Sequence, residues 1–463
     1  MTKRTETSNK RATLICSMLT SFMTTFMGSS VILAVPAIGR EFHTGAVALG
    51  WMVTIYLLAS ATLSIPFGRL ADRVGRKNMF LTGIVLFVAG SGLCATAHSM
   101  GALLIFRLLQ GAASAMIFST VMALLVDAFP PDRRGVVLGY STSATYLGLS
   151  TGPVLGGWMT LILGWRSIFW GAVLIGILAA VVGALFVRNY YVPQEKQQID
   201  RTGILYYCIT TAGLLYGLSA LTESRNAPYV LAVSLLLFPL FIRHEQKQEH
   251  PLIPIQLFLE NRGFALSNLA ALINYSATFA IGYLVSMYLQ LVQHFNSGTA
   301  GMIMLSQPLT MAIVSPLAGR LSDRLEPRIV SSIGMGISAL GLFGLLVVSR
   351  FFHTNLMVVD LLFIGLGLAL FSAPNSSAVM GTVERNLYSL AASVLATMRL
   401  MGQAFSMAIV SLILSFHTAG STVDAINPAG LTTGLQQSML IFGVLCGFGI
   451  FASLSRGRMH SSK

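Results

Sequence analysis

Long apolar runs alternate with short polar breaks along all 463 residues of the chain. A helix that crosses a bilayer needs about 20 mostly apolar residues. Fourteen runs approach or exceed that length, at about 12–38, 46–67, 78–97, 101–127, 135–162, 165–187, 203–221, 227–242, 264–292, 299–318, 328–350, 355–380, 389–415 and 433–454. The breaks carry Gly, Pro or charge, as in Arg40-Glu41, Pro130-Pro131-Asp132 and Asn261-Arg262-Gly263, residues that end or punctuate helices. The first run is longer than the 7–15 apolar residues of a signal-peptide core, so it reads as a retained helix. The pattern predicts an all-α polytopic membrane protein.

Composition sharpens this. Hydrophobic residues make up 54% and charged residues 10%, against about 25% charged in soluble domains. The net charge of +13 comes from 29 Lys+Arg against 16 Asp+Glu. With both termini placed in the cytoplasm, 23 basic residues fall in cytoplasmic tails and loops. Arg40, Arg166, Arg225 and Arg350 fall outside, and Arg107 and Arg399 lie within spans. Cytoplasmic loops accumulate Lys and Arg, so the excess reports cell-membrane orientation and an even span count rather than nucleic acid. The four cysteines lie in apolar runs, where cysteine behaves as a small hydrophobe, and no disulfide is expected.

Gly68-Arg69-Leu70-Ala71-Asp72-Arg73 recurs as Gly319-Arg320-Leu321-Ser322-Asp323-Arg324, after the second and tenth spans. Copies in one orientation are separated by an even number of helices, here eight. Parallel halves of this kind are common in transporters. Six helices belong to a repeating half and two are inserted. The expected organisation is a six-helix bundle over 1–195, an inserted pair and linker over 196–260, and a second six-helix bundle over 261–463.

The stretch from Gly68 through Asp72, Arg73, Gly75, Arg76 and Lys77 resembles the signature loop of the major facilitator superfamily. Three more stretches agree in order. Arg107-Leu-Leu-Gln110-Gly111 is similar to its Arg-x-x-Gln-Gly motif. The run with Gly148, Gly152, Pro153, Gly156 and Gly157 resembles the antiporter motif of its exporters. Gly164-Trp165-Arg166 resembles a segment of the fourteen-helix drug:proton antiporter group. The resemblance spans essentially the whole chain. It implies two six-helix bundles plus an inserted pair, a monomer in the bilayer, and export of small amphipathic organic compounds in exchange for protons. It also implies a latch at the cytoplasmic face built from Asp72, Arg76 and Asp127, with a second latch at Gly319, Asp323 and Arg324.

The residues carry readings of their own. Gly148, Gly152 and Gly156 recur every four positions, so they share one helix face on which another helix can approach closely. Pro153 can kink that helix. Arg107 cannot give up its proton. Its expected task is to hold Gln110 and backbone carbonyls, or to act on a nearby acid; Arg399 is its counterpart, and snorkelling to the interface suits both as well. In the ninth span Asn268, Tyr275, Phe279, Tyr283, Ser286 and Gln290 follow three- and four-residue steps along one face. With Thr20, Thr24, Met27, Tyr56, Tyr146 and Asn375 they are the candidate substrate cavity; bonding between helices would use the same residues.

One family feature is missing. Where many drug antiporters of the group place an acid in the first helix, this chain has Phe26-Met27-Gly28-Ser29 before Pro36. The acids within spans are Asp127 and Asp360, and Asp360 suits either an interface or a proton carrier. This leaves room for a carrier of a neutral or anionic lipid or metabolite. A multipass membrane enzyme is disfavoured, since no clustered His, Asp or Cys constellation is found. No phosphate-binding Gly-x-x-x-x-Gly-Lys-[Ser/Thr] loop or zinc-ligand spacing occurs either, so neither cofactor nor metal is expected.

Overall fold

Helices form where the apolar runs predict them. In this computed structural model the described residues are 3–188, 200–221, 224–248, 251–253, 255–351, 353–383, 388–418 and 427–457. Within them, the side chains of 3–8, 131–136, 138–139, 142, 323–324 and 388–389 lie outside the description. The helices are α1 (Lys3–Phe42), α2 (Ala46–Val74), α3 (Arg76–Ala95), α4 (Met100–Ala128), α5 (Pro131–Leu163), α6 (Arg166–Phe186), α7 (Arg201–Ser219) and α8 (Ala227–Glu245). They continue as α9 (Ile255–Glu260), α10 (Arg262–Thr278), α11 (Ile281–Met287), α12 (Ser297–Met304), α13 (Ser306–Arg324), α14 (Pro327–Val348), α15 (Thr354–Gly381), α16 (Tyr388–Thr418) and α17 (Pro428–Leu454). The described residues contain no strand.

Among the described residues, thirteen segments are long and apolar enough to cross a membrane. The expected seventh span forms as α7 but is not among them, because Tyr, Thr and Gly dilute its apolar content. The expected ninth and tenth spans are not single α-helices. Between α10 and α11 the ladder breaks at Phe279–Ala280, where the Ala280 amide donates to Ser406 Oγ at 3.0 Å. Tyr288–Val292 then winds as a π-helix. The break at Leu305 between α12 and α13 precedes Pro308, which lacks an amide and crowds the carbonyl four residues back.

Local chemistry sets many helix ends. Ser99, Asp200, Asn261 and Asn296 accept from the backbone amide three residues on, the usual N-cap bond. Gly75 ends α2 and starts α3 at φ 104°, a conformation that favours glycine.

Helix α1 packs on α5 and α6, and α4 on α2 and α3, while α14 lies between α15 and α17 and α10 lies against α16 and α17. The two groups meet where α2 packs on α16 and α5 on α12. Helix α7 packs on α8 and also on both α2 and α16, and the Tyr207 hydroxyl donates to the Ala61 carbonyl of α2 at 3.0 Å. Large apolar side chains such as Leu174, Leu185, Leu236 and Phe451 stay outside the protein core. In a chain this apolar, that outer surface is what a bilayer covers.

Candidate transport site

The turn between α2 and α3 marks one end of the bundle, called here the basic end. There Arg76 Nε contacts Asp72 Oδ1 at 2.9 Å and Nη1 contacts Asp127 Oδ2 at 2.9 Å. One guanidinium thus ties the ends of α2, α3 and α4. Arg73 is exposed beside it. A methyl on Gly68 would make only an ordinary contact with Ser119. Arg69 donates instead to the carbonyl of Pro251, in the segment after α8. In the second half Gly319 lies within α13 with open space beside it. The Asp323 and Arg324 side chains lie outside the described residues.

The glycine face of α5 meets α1. A methyl on Gly148 would strike Thr25 and Phe22, one on Gly152 would strike Ser29, and one on Gly156 would meet Ser30 Cβ at 2.5 Å. The close approach lets Ser30 Oγ donate to the Gly152 carbonyl at 3.1 Å and Ser29 Oγ to the Gly148 carbonyl at 3.3 Å. Gly157 faces the other half: Ser297 Oγ donates to its carbonyl at 2.9 Å. Gly301 of α12 lies against the Pro153 carbonyl.

Arg107 is 1% exposed. Its Nε donates to the Met52 carbonyl at 3.2 Å and Nη1 to Gln110 Oε1 at 2.6 Å, and its guanidinium lies 4.4 Å from the Tyr56 ring centroid. Gln110 donates onward to Ser91 Oγ and Tyr56 to Ser114 Oγ, both at 2.7 Å. The arginine therefore pins α2, α3 and α4 together.

Toward the opposite end, the polar stripe of the ninth span closes the seam between the two halves. Tyr283 donates to the Ala46 carbonyl at 2.8 Å, Ser286 to the Ile32 carbonyl at 2.9 Å and Gln290 to the Leu33 carbonyl at 3.2 Å. All three side chains are buried. Thr20 and Thr24 bond carbonyls of their own helix and Met27 is wholly buried. Tyr146, Tyr275 and Phe279 are half-buried.

Two residues of the proposed cavity serve other partners in this structure. Asn268 donates to the Phe264 carbonyl of its own helix at 3.0 Å. Asn375, 1% exposed, donates to the Ser267 carbonyl at 3.2 Å and accepts from Arg456 Nη1 at 2.8 Å. Arg399 donates to Ser376 Oγ at 2.6 Å and lies 5.6 Å from the Tyr275 ring centroid. Asp360 lies near the opposite end, between α14 and α15. Its carboxylate fills the space over Gly344 and its neighbours Leu356, Val359 and Phe363 face outward.

Sequence reading missed three groups. Arg456, 4% exposed, also donates to Ser453 Oγ at 2.7 Å. Burial and then the charge of Arg328 pull its pKa down to about 10, so it remains a cation at neutral pH. Glu245 is 2% exposed and accepts from the Ile253 amide at 3.0 Å. Its other oxygen and Asp200 Oδ2 both crowd the open face of Gly203. Glu41 joins Trp165 Nε1 at 2.7 Å and Arg166 Nη2 at 2.6 Å, tying α1 to α6 at the opposite end. In each case the sequence shows a charge beside a span, and only the fold supplies the partner.

Comparison with known proteins gives this arrangement its family. The Major Facilitator Superfamily model matches residues 17–407 and again 267–462. The chain belongs to that superfamily. Among its relatives, the riboflavin transporter RibZ of Clostridioides difficile is 27% identical over 434 residues, covering 94% of each chain. The multidrug resistance protein Stp of Mycobacterium tuberculosis is 28% identical over 411 residues, covering 87% of this chain and 75% of its own. Of solved structures, a peptide transporter bound to sulfate superposes with a TM-score of 0.70 at 14% identity, covering 96% of this chain and 95% of its own. A bacterial homologue of the lysosomal transporter Spinster, in an inward-facing and unoccupied conformation, gives 0.69 at 15% identity and covers 98% of each chain. These similarities make the chain a multi-pass membrane transporter by family, and its relatives are transporters rather than enzymes.

Proposed function

We propose that the chain exports small amphipathic organic compounds across the cell membrane by alternating access, in exchange for protons. In this reading it is a monomer of fourteen spans with both termini cytoplasmic. Two bundles, 1–195 and 261–463, rock about their shared seam, and the inserted pair within 196–260 rides between them. The observation that carries the reading is the seal of Tyr283, Ser286 and Gln290 onto carbonyls of α1 and α2. Side-chain bonds of this kind in membranes are worth about 0.6 kcal/mol each, so the seam can open. The basic end is the cytoplasmic one by the charge split, and Arg76 with Asp72 and Asp127 holds that face of the first bundle as the latch. The glycine seam of α1 and α5 serves as the exporter motif. Relatives named for multidrug resistance support efflux.

A second reading is a carrier dedicated to one metabolite. It is favoured by Met27, where an acid for cationic drugs is absent, and by the similarity to a riboflavin transporter. Reconstitution in proteoliposomes under an imposed pH gradient tests both. Gradient-driven movement of ethidium and other dyes supports multidrug export. Movement of riboflavin alone supports the dedicated carrier. No gradient-driven movement of any of them refutes the proton-coupled reading.

A further inference from the structure

Arg399 is the intramembrane charge that the protein leaves incompletely answered. It lies eleven residues into α16, about 17 Å from the start of the helix at 1.5 Å per residue. Charges at such depth are expensive and usually face a partner or a cavity. Arg107 meets this demand inside one bundle, with Met52, Gln110 and the Tyr56 ring around a side chain that is fully buried. Arg399 is only half-buried. Of its five N–H donors, one is bonded among the described residues, to Ser376 Oγ, and Nε is buried without a partner. No described carboxylate is paired with it. Asp360, the acid on the neighbouring helix, lies sixteen residues from Ser376, about 24 Å along α15.

Three helices converge on this cation. The Tyr275 ring of α10 lies on one side, and the Tyr275 hydroxyl pairs with Ser372 Oγ of α15 at 3.3 Å. Ser376 lies one helical turn further along α15. We propose that Arg399, with Tyr275 and Ser376, forms a subsite for an anionic group, such as a carboxylate, sulfonate or phosphate, on the transported molecule. The guanidinium fork takes the anion and the Tyr275 ring takes the apolar body. The subsite rests on the transporter reading above and deepens it. The first helix offers Met27 where a cationic drug would need an acid, and α16 offers instead a cation with no carboxylate partner among the described residues.

The test is equilibrium binding of dansyl-glycine and of its uncharged methyl ester to the full-length protein in phosphatidylcholine nanodiscs. The two probes share a fluorophore and differ in the carboxylate. The wild type is expected to bind the acid about 10-fold or more tighter than the ester, the scale of one charge-assisted bond. Arg399→Gln should bring that ratio to about one and leave ester affinity unchanged. Arg399→Lys, which keeps the charge but loses the fork, should keep part of the preference, and it serves if the Gln variant does not fold. A wild-type ratio near one, or failure to bind either probe, overturns the subsite. So does equal loss of both probes in Arg399→Gln. If phosphatidylglycerol in the nanodisc competes with dansyl-glycine in the wild type but not in Arg399→Gln, the anion is a lipid headgroup and the assignment to cargo falls. Carboxylate preference without gradient-driven movement of any dye or of riboflavin in proteoliposomes would refute the proton-coupled reading and leave the binding subsite standing; movement without preference would do the reverse.

Discussion

A single methyl placed on Gly156 tests whether α1 and α5 depend on backbone-to-backbone packing. The added Cβ would sit 2.5 Å from Ser30 Cβ and 2.7 Å from Ser30 Cα. Ordinary contact is about 3.5–4.0 Å between carbons, so the helices must part by roughly 1 Å at that level. A rotamer change cannot relieve the clash, because the Ser30 Cα belongs to the backbone. Overpacking of this size costs about 1–3 kcal/mol. Parting also strains the Ser30 bond to the Gly152 carbonyl at 3.1 Å, worth about 0.6 kcal/mol in a membrane. Against this, Gly→Ala in a helix gains about 0.5–1 kcal/mol. The net expectation for Gly156→Ala is a loss of about 1–3 kcal/mol. Gly28→Ala is the matched control, because nothing lies within 4 Å of its added Cβ and the helical gain remains. Thermal unfolding of purified protein in detergent should rank Gly28→Ala at or above wild type and Gly156→Ala below it. If Gly156→Ala unfolds at the wild-type temperature, the packing argument is wrong.

The triple variant Tyr283→Phe, Ser286→Ala, Gln290→Leu removes three bonds of the seal, roughly 2 kcal/mol at about 0.6 each. Spin labels at the exposed His98 and Thr299 should then show longer distances in double electron–electron resonance; an unchanged distribution contradicts the seal. Asp72→Asn should reduce transport while the protein still reaches the membrane, since Arg76 loses one of the two carboxylates that hold it among the described residues; the cluster is partly exposed, so the stability change should stay near 1 kcal/mol or less. Asp360→Asn should leave pH-gradient-driven transport intact, because the carboxylate sits over Gly344 beside outward-facing residues, and lost coupling would make it the proton carrier. Glu245→Gln keeps an acceptor for the Ile253 amide and removes a buried charge that faces Asp200, so its unfolding temperature should hold or rise; a clear fall would mean that the charge is used.

What could be read from the chain was what is local in it. The turn at Gly75 announces itself through a glycine between two charged helix ends, and its positive φ follows. Gly148, Gly152 and Gly156 mark a close-packing face by spacing alone. Nothing near them in sequence names Ser29 and Ser30 as partners, 119 and 122 residues away. The stripe through Tyr283, Ser286 and Gln290 was visible as a polar face, yet a buried seal and a wet cavity wall have the same periodicity. Only the carbonyls of Ile32, Leu33 and Ala46 distinguish them here. Asn375, a polar residue within a span, belongs in sequence to the candidate cavity. Its actual partner, Arg456, reads in sequence as part of a solvated basic tail, and Glu245 reads as part of a charged loop. Burial of such groups is a tertiary fact that no local pattern carries.

The strengths of these contacts suggest where motion belongs. Within the first bundle, helices are joined by glycine-to-backbone approach, by a fully buried guanidinium and by an arginine shared between two acids. The first two cannot be released without opening a cavity or stranding a charge, which costs several kcal/mol; the partly exposed arginine cluster contributes about 1 kcal/mol or less. Between the bundles, the hydrogen bonds among the described residues are single side-chain donors to carbonyls, Tyr283, Ser286 and Gln290 with Ser297 and Ser150, beside the close approach of Gly157 and Gly301. At about 0.6 kcal/mol each, five such bonds come to roughly 3 kcal/mol. One elementary charge moving through 100 mV releases about 2.3 kcal/mol. A ligand can shift a two-state balance only by its differential affinity for the two states, and a few kcal/mol is well within the reach of a bound anion or proton. On the proposed mechanism, cargo or ion binding has to open this seam, including the close approach of Gly157 and Gly301 across it, while each bundle moves as a unit.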